Sequence, residues 1–302
     1  MLLKPRTEPE LLTLLRLLEN RIKFTEDEMV QYTNLSKGYE GELMFDQLTA
    51  RLDCEMFIIN DLFLEHNHSK FQIDSLLIKN KTIIPCEVKN YYSNYFFEDG
   101  EFRHCITKKE ITNPLHQMKR SEILLRQFLQ KLGFHFQIDS YLTFINPEFF
   151  LYQAPQNQSI IFPPQLGSFM TKLNSKGPKL DEVHRKLADK LVGSHTFESP
   201  YPKLPPYDYH SIRKGMQCGT CHSFEVIVGE KKLICYDCGT EEDSQSAIVR
   251  HVEEFKLLFP GQKVTTNLIF DWCTVVESRK KIRKVLTNNY KVMGTRQWTY
   301  YE

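Results

Sequence analysis

The sequence has no hydrophobic run approaching the roughly 18 residues that a membrane span requires. Its first stretch, MLLKPRTEPELLTLLRLLEN, is broken by charges every few residues and reads as an amphipathic helix rather than a secretory leader. Net charge is almost absent too: 39 Lys and Arg against 38 Asp and Glu leave +1, so any basic surface must be local. No internal repeat or long low-complexity tract occurs, which excludes repeat architectures. A disulfide framework is also missing. Of eight cysteines, four form two CxxC pairs and the rest are scattered, a usage that fits a reducing cytoplasm. What remains is an ordinary soluble composition, 41% apolar and 25% charged over 302 residues, enough chain for two or three domains.

Along the chain, residues 7–30 predict one or two amphipathic helices, with Leu11, Leu12, Leu14, Leu15 and Leu18 on a helical period. LSKGYEGELMFDQLTARL opens a further helix, its Leu43, Met44, Leu48 and Leu52 spaced about one turn apart. The segment from 57 to 106, rich in Ile, Phe and Tyr, predicts several strands. NPLHQMKRSEILLRQFLQKLG is a helix with Pro114 near its start and Gly133 at its stop. SYLTFINPEFF and QSIIFPP are further strands, so a mixed α/β domain closes between 155 and 175. Residues 178–192 predict a charged helix, followed by SPYPKLPPYDY, whose four prolines mark an extended linker. The division expected is a helical segment (1–34), an α/β domain (35–170), a helix and Pro-rich linker (171–211), a cysteine-bearing module (212–243) and a basic domain (244–302).

The chemistry concentrates in FQIDSLLIKNKTIIPCEVKNYY. With Asn80 and Lys81 as a two-residue hairpin loop, opposed residues have numbers summing to 161, and Asp74 faces Glu87. Such pairs share a face with Cβ atoms roughly 4.5–5.5 Å apart. Lys89 lies on that face as well, because side chains alternate along a strand. A longer loop would shift the pairing by one residue. Two carboxylates held that close repel unless a cation lies between them. A divalent ion such as Mg²⁺ prefers oxygen ligands and keeps waters for a substrate phosphate and a nucleophile. A lysine beside it can orient or help deprotonate the attacking water and stabilise charge on phosphorus. An isolated E-x-K triplet, by contrast, is more often an ordinary surface ion pair.

This triplet is not isolated. The pattern D-x12-E-x-K, preceded by a helix carrying GYEGE, resembles the PD-(D/E)xK nuclease superfamily, and more narrowly the nuclease-related domain (NERD) family. The matching pieces are KGYEGELMFDQL, FQIDSLLI, PCEVKNY and TNPLHQMKRSEILL, within residues 35–150. The resemblance implies a restriction-endonuclease-like mixed sheet flanked by helices. It also implies roles: Glu42 reaching a metal directly or through water, Asp74 and Glu87 as ligands of Mg²⁺ or Mn²⁺, and Lys89 as the catalytic lysine. Gln72 and Gln117 match polar family positions near the site, although a helix-surface glutamine explains Gln117 equally well. Gly38 and Gly41 fit as positions where the chain enters the helix closely packed. The stretch YYSNYFFEDGEFRHCITKKE departs from the family pattern in lacking its tryptophan, and Lys108 and Lys109 there read as solvated lysines sooner than phosphate contacts.

Two further modules follow. Cys218, Cys221, Cys235 and Cys238 are spaced C-x2-C-x13-C-x2-C, two knuckles whose four thiolates close a tetrahedral shell around a structural Zn²⁺, with His222 surplus. Residues 245–302 carry ten Lys or Arg against five Asp or Glu. Three helices and a hairpin turning at Gly294 resemble a winged helix-turn-helix. In the third helix Ile282, Val285 and Leu286 share one face and Arg279, Lys280, Arg283 and Lys284 the other, with Arg296 and Trp298 on the wing. The expectation is a cytoplasmic, Mg²⁺-dependent DNA endonuclease, acting in DNA processing or defence against foreign DNA. DNA is favoured over RNA and no membrane is involved; whether a homodimer cuts both strands stays open. The alternatives are a non-catalytic DNA-binding regulator on a degenerate nuclease fold, and a protein-interaction scaffold.

Overall fold

A computed structural model describes residues 1–156, 159–196 and 204–302. The Pro-rich linker falls partly outside the described residues, its first part lying within 197–203. Two compact units result, one of residues 1–8 and 33–196, the other of 9–32 and 204–302.

The first unit is built on a mixed sheet. Its strands, in chain order, are β1 (Leu2–Lys4), β2 (Phe57–His66), β3 (Ser69–Lys79) and β4 (Thr82–Lys89), then β5 (Ser93–Glu98), β6 (Glu101–His104), β7 (Glu110–Ile111), β8 (Gln137–Ile138), β9 (Tyr141–Phe144), β10 (Phe149–Tyr152) and β11 (Ile160–Ile161). The spatial order of the main sheet is β1-β2-β3-β4-β9-β11, with β8 also on β4, and β10-β5-β6-β7 form a second sheet. Strands β2, β3 and β4 are antiparallel, whereas β1 joins β2 and β9 joins β4 in parallel. Asn80 takes φ 53° in the β3–β4 turn, and the pairing from Lys79↔Thr82 to Ser75↔Cys86 is that of a two-residue loop.

Alternation along the strands divides the apolar side chains between two faces. Leu76, Ile78 and Ile83 pack with Leu125, Phe128 and Leu129 of α3 (Pro114–Lys131) and with Leu187 and Leu191 of α5 (Glu182–Gly193). Leu77, Ile84, Cys86 and Val88 face Phe45 of α2 (Glu26–Thr49) and Phe169 and Leu173 of α4 (Leu166–Leu173). The α/β unit therefore runs past the expected limit of 155–175. Leu187 and Leu191 are fully buried, and burying such a side chain contributes on the order of 1.5–3 kcal/mol, so the charged helix belongs to the core rather than to a linker.

Helix α2 also departs from expectation, beginning at Glu26 and passing through both glycines. Thr25 and Glu28 cap it reciprocally, Thr25 N–H donating to Glu28 Oε2 and Glu28 N–H to Thr25 Oγ1. Only one of the glycines is sterically required. A Cβ on Gly41 would lie 2.4 Å from Asn90 Cβ, whereas one on Gly38 would meet nothing within 4 Å.

The second unit contains α1 (Glu10–Glu19), a small sheet of β12 (Val226–Val228), β13 (Lys232–Cys235) and β14 (Glu241–Asp243), and helices α6 (Ser244–Leu258), α7 (Thr266–Cys273) and α8 (Arg279–Asn289). It closes with the antiparallel pair β15 (Val292–Met293) and β16 (Tyr300–Tyr301). Leu14 and Leu18 of α1 are buried with Val252, Phe255 and Trp272, so residues 9–32 do not form a helical segment of their own. Arg21 ties them in: 3% exposed, it donates to the Arg213 and Gly215 carbonyls and to Glu254, with its guanidinium 4.4 Å from the Trp272 ring. No helix among the described residues is long and apolar enough to cross a membrane.

The two glycines give opposite expectations for thermal denaturation. Gly41→Ala should lower stability by about 1–3 kcal/mol through overpacking against Asn90. Gly38→Ala should leave the melting temperature unchanged or raise it, since Ala is favoured over Gly in a helix by roughly 1 kcal/mol.

Candidate active site

Between Asp74 and Glu87 the two central strands part. The β3–β4 ladder ends at Ser75↔Cys86, and from Cys86 onward β4 pairs with β9 on its other side. Asp74 fills the gap, its Oδ2 accepting the Val88 N–H at 2.8 Å. A cleft of about 620 Å³ opens there, lined by Glu42, Asp74, Glu87, Lys89, Gln72 and Gln117 among others. A cleft of similar size beside Tyr141, Phe169 and Lys172 has no carboxylate in its lining.

Asp74 and Glu87 are 7% and 4% exposed. Lys89 Nζ lies 2.6 Å from Glu87 Oε1, an ion contact off the line of a hydrogen bond, and donates to Gln117 Oε1 at 3.0 Å. Glu87 Oε1 is thus a buried acceptor without a hydrogen-bond donor among the described residues. Gln117 stands at the lysine, and Gln72, also in the cleft, is turned to Asp61 Oδ1 at 2.9 Å. Lys108 and Lys109 are exposed and outside the cleft lining.

Glu42 approaches from α2, and its Oε2 is held 2.5 Å from Arg6 Nη1. That arginine, its side chain 2% exposed, also forks onto Asp46 at 3.0 and 3.1 Å and donates to the Asp74 carbonyl at 2.6 Å. Nothing in the residue pattern pointed to Arg6. It reaches the acids because β1 docks on β2 at the sheet edge and carries the next residues past α2.

Burial and mutual repulsion disfavour a full set of charges here. Burial, with the Asp74 charge adding to it, pushes Glu42 up to about 8 against the pull of Arg6. Burial and Asp74 likewise raise Glu87 to about 7, with Lys89 opposing. Asp74 is raised by burial, against the opposing effects of Lys89, the Val88 N–H and Arg6. Burial pulls Lys89 down, but the Glu87 and Asp74 charges outweigh it and hold the ammonium above its usual range. The neighbouring acids therefore favour the charged ammonium.

These donors suit a hard divalent cation. Asp74 Oδ1 is left over from the bond to Val88, and Glu87 Oε1 meets the Lys89 ammonium at 2.6 Å. One or two carboxylates with waters are the usual holding of Mg²⁺. Among the described residues, however, the one cluster of three or more His, Cys, Asp or Glu ligand atoms all within 4.8 Å of one another is the cysteine set, so the three acids stand more openly.

In the second unit Cys218, Cys221, Cys235 and Cys238 form that compact set, with Sγ–Sγ distances of 3.6 Å for Cys218–Cys238 and for Cys221–Cys235. Tetrahedral thiolates at a metal–sulfur distance of about 2.3 Å have edges of about 3.8 Å. The knuckles are set by Thr220 N–H to Cys218 Sγ and Gly239 N–H to the Cys235 carbonyl. His222 is exposed and outside the cluster. On α8, Ile282, Val285 and Leu286 are buried while Arg279, Lys280, Arg283 and Lys284 are exposed. Lys281 turns inward to the Gly229 and Glu230 carbonyls. Ser278 caps the helix, Arg296 stands exposed on the hairpin and Trp298 is 76% exposed.

Comparison with known proteins bears on the first unit. Residues 37–145 match the model of NERD, the nuclease-related domain. Among solved structures, protein VC1899 from Vibrio cholerae is similar at 12% identity and a TM-score of 0.26, over 55% of this chain and 50% of that one, so the likeness spans half of the other chain's length. No curated protein matches.

The raised acids fix the sign of a pH effect. Folded-state values of about 8 for Glu42 and about 7 for Glu87 exceed the ordinary 4.5, so the folded protein holds protons that the unfolded chain releases. Their contribution is fully present below pH of about 4.5 and is lost as pH rises through about 7 and 8. Without divalent cation the melting temperature should fall over that window. Millimolar Mg²⁺ or Mn²⁺ should restore it more at pH 8 than at pH 6, and Glu87→Gln should flatten the fall; calorimetry across pH checks all three.

Proposed function

With residues 37–145 a nuclease-related domain, we propose that this chain is a metal-dependent nuclease hydrolysing DNA phosphodiesters in the cleft of Asp74, Glu87 and Lys89. The observation that carries the reading is the Lys89 ammonium 2.6 Å from Glu87 where β3 and β4 part, beside the buried Asp74. Asp74 and Glu87 are the residues that would hold Mg²⁺ or Mn²⁺. Such an ion, when bound, lowers the pKa of water and polarises a phosphoryl oxygen.

The chain's own groups divide the remaining work. Lys89, kept protonated, donates to a phosphoryl oxygen as negative charge builds there, and Gln117 holds it in place at 3.0 Å. Glu42, engaged by Arg6, is a positioning residue. Its partner also grips the Asp74 backbone carbonyl, so the pair ties α2 to β3 at Asp74, whose carboxylate is held by the Val88 N–H. A half-buried lysine set against Glu87 in the same cleft as Asp74 favours cutting over binding alone.

Nucleic-acid grip falls to the second unit. The exposed cations of α8 and Arg296 suit phosphates and base edges. The helix-turn-helix reading draws support from the order α6, α7, α8, hairpin and from the bridge that Val264 makes to Tyr301. A helix reads the wide major groove of B-form DNA and not the deep, narrow one of A-form RNA, which favours DNA. The four cysteines, two ahead of β12, one ending β13 and one in the turn after it, would hold a structural Zn²⁺.

Incubated with Mg²⁺, plasmid or single-stranded DNA should be nicked or cut, and Asp74→Ala or Lys89→Ala should each slow this by roughly 10²-fold or more. Equal cutting by wild type and both variants would reject the assignment. Replacing Arg279, Lys280 and Arg283 with Ala should reduce the slope of log affinity against log salt by about 2.7, at about 0.9 per phosphate contact. Elemental analysis should give one zinc per chain, lost together with the fold of the second unit in Cys235→Ser; a ratio far below one would remove the ribbon.

A further inference from the structure

Aromatic side chains share the lining of the cleft with the acids. Immediately after E-V-K the chain runs into Tyr91, Tyr92 and Tyr95, all of which line the cavity. Tyr91 and Tyr95 have ring centroids 5.6 Å apart and are braced from behind by Phe149, at 6.2 and 5.7 Å. Tyr92 is 57% exposed, with Lys37 Nζ of α2 5.8 Å from its ring centroid. Among the described residues no hydrogen bond holds any of the three hydroxyls. On the α2 side Gly38 leaves the cavity open, an added Cβ there meeting nothing within 4 Å.

Charge alone does not suit this cleft to a duplex. Its lining cations are Lys37 and Lys89 alone, set against Glu42, Asp74 and Glu87. Duplex binding proteins typically neutralise about 6–10 phosphates. A volume of about 620 Å³ is that of a small-molecule pocket and admits one nucleotide with its phosphate. Asp74 and Glu87 sit at its base, 7% and 4% exposed, so a reacting phosphate must descend to them. An unpaired strand can bend its backbone inward, whereas a paired one is held in line by its complement. Stacking on an aromatic face supplies roughly a 5- to 150-fold gain per base and accepts any base.

We propose that the cleft receives an unpaired nucleotide of a single-stranded nucleic acid, its base stacked on Tyr92, its flanking phosphate on Lys37 and its scissile phosphate at the acids. This rests on the nuclease reading and adds to it the strandedness of the substrate. Single strands of DNA or RNA share the chemistry that Tyr92 recognises, and the experiment separates them.

The test measures fluorescence anisotropy of a short DNA strand, the same strand in RNA and the blunt DNA duplex, on the full chain carrying Lys89→Gln so that nothing is cut. Adding Tyr92→Ala should weaken single-strand binding at least 5-fold on DNA, on RNA or on both, the strand that loses being the one accepted. Tyr92→Phe should stay within 2-fold, and duplex affinity should be equal in all three proteins. Tyr92 is exposed, so its loss spares the fold. Single-strand affinities within 2-fold after Tyr92→Ala, or an equal loss on the duplex, would overturn the proposal. Cutting by the chain with unsubstituted Lys89 separates the two readings. Tyr92-dependent single-strand binding without any cutting would uphold the stacking site and remove the nuclease. Equal cutting of duplex and single strand, indifferent to Tyr92→Ala, would keep the nuclease and remove the stacking site.

Discussion

The site depends on a failure of strand pairing. Asp74 sits where β3 has neighbours on both sides and a regular ladder partner on neither. Toward β2, the pairs Asn60↔Ser75 and Leu62↔Ile73 flank it, while Asp61 takes φ 52°. Toward β4, pairing stops at Ser75↔Cys86. Buried backbone groups left unpaired cost about 1–3 kcal/mol each. Here side chains supply the missing bonds, the Asp74 carboxylate taking the Val88 N–H and Arg6 donating to the Asp74 carbonyl. The acid proposed to hold a cation is thus also the plug where the sheet forks, so replacing it would disturb structure as well as the proposed site.

Around that fork, charge is balanced by position. Arg6 takes Glu42 and Asp46, Lys89 takes Glu87, and Asp74 is left between the two cations with one oxygen spoken for. The imbalance that remains is negative and buried, which is what raises Glu42 and Glu87 and keeps Lys89 protonated. By sequence the lysine could orient or help deprotonate water and stabilise charge on phosphorus, and the acids around it favour its charged form.

Legibility in the sequence followed the range of the interaction. The hairpin register was readable because a two-residue loop fixes every opposed pair, and the pairs from Lys79↔Thr82 to Ser75↔Cys86 obey it. It ceased to be readable one step short of Asp74, where the β3–β4 ladder ends at Ser75↔Cys86. The four cysteines were legible because the knuckles are local. The start of α2 was legible in principle, as Thr25 and Glu28 form a capping pair, but GYEGE drew the boundary toward the glycines instead. Arg6 was not legible at all. Its partners Glu42, Asp46 and Asp74 are 36 to 68 residues away and are brought to it by β1, a strand of three residues with no pattern of its own. Leu14 and Leu18 likewise showed an apolar face but not the unit that would bury it.

The two halves of the sequence pattern, G-E on the helix and E-x-K on the strand, meet in one contact. Asn90 follows Lys89, and its Nδ2 donates to the Lys37 carbonyl of α2 at 2.7 Å. Its Cβ occupies the space that a side chain at position 41 would need. Only glycine at that position lets the helix backbone approach this closely, and the approach brings both neighbours of the contact into the cleft. Glu42 adjoins Gly41 and Lys89 adjoins Asn90, so closing the one backbone-to-side-chain contact delivers an acid and an ammonium together. A larger residue at 41 would do more than strain the helix. It would move Glu42 away from Arg6 and Lys37 away from Tyr92 in a single displacement, because Lys37 and Glu42 ride on the same two turns of α2.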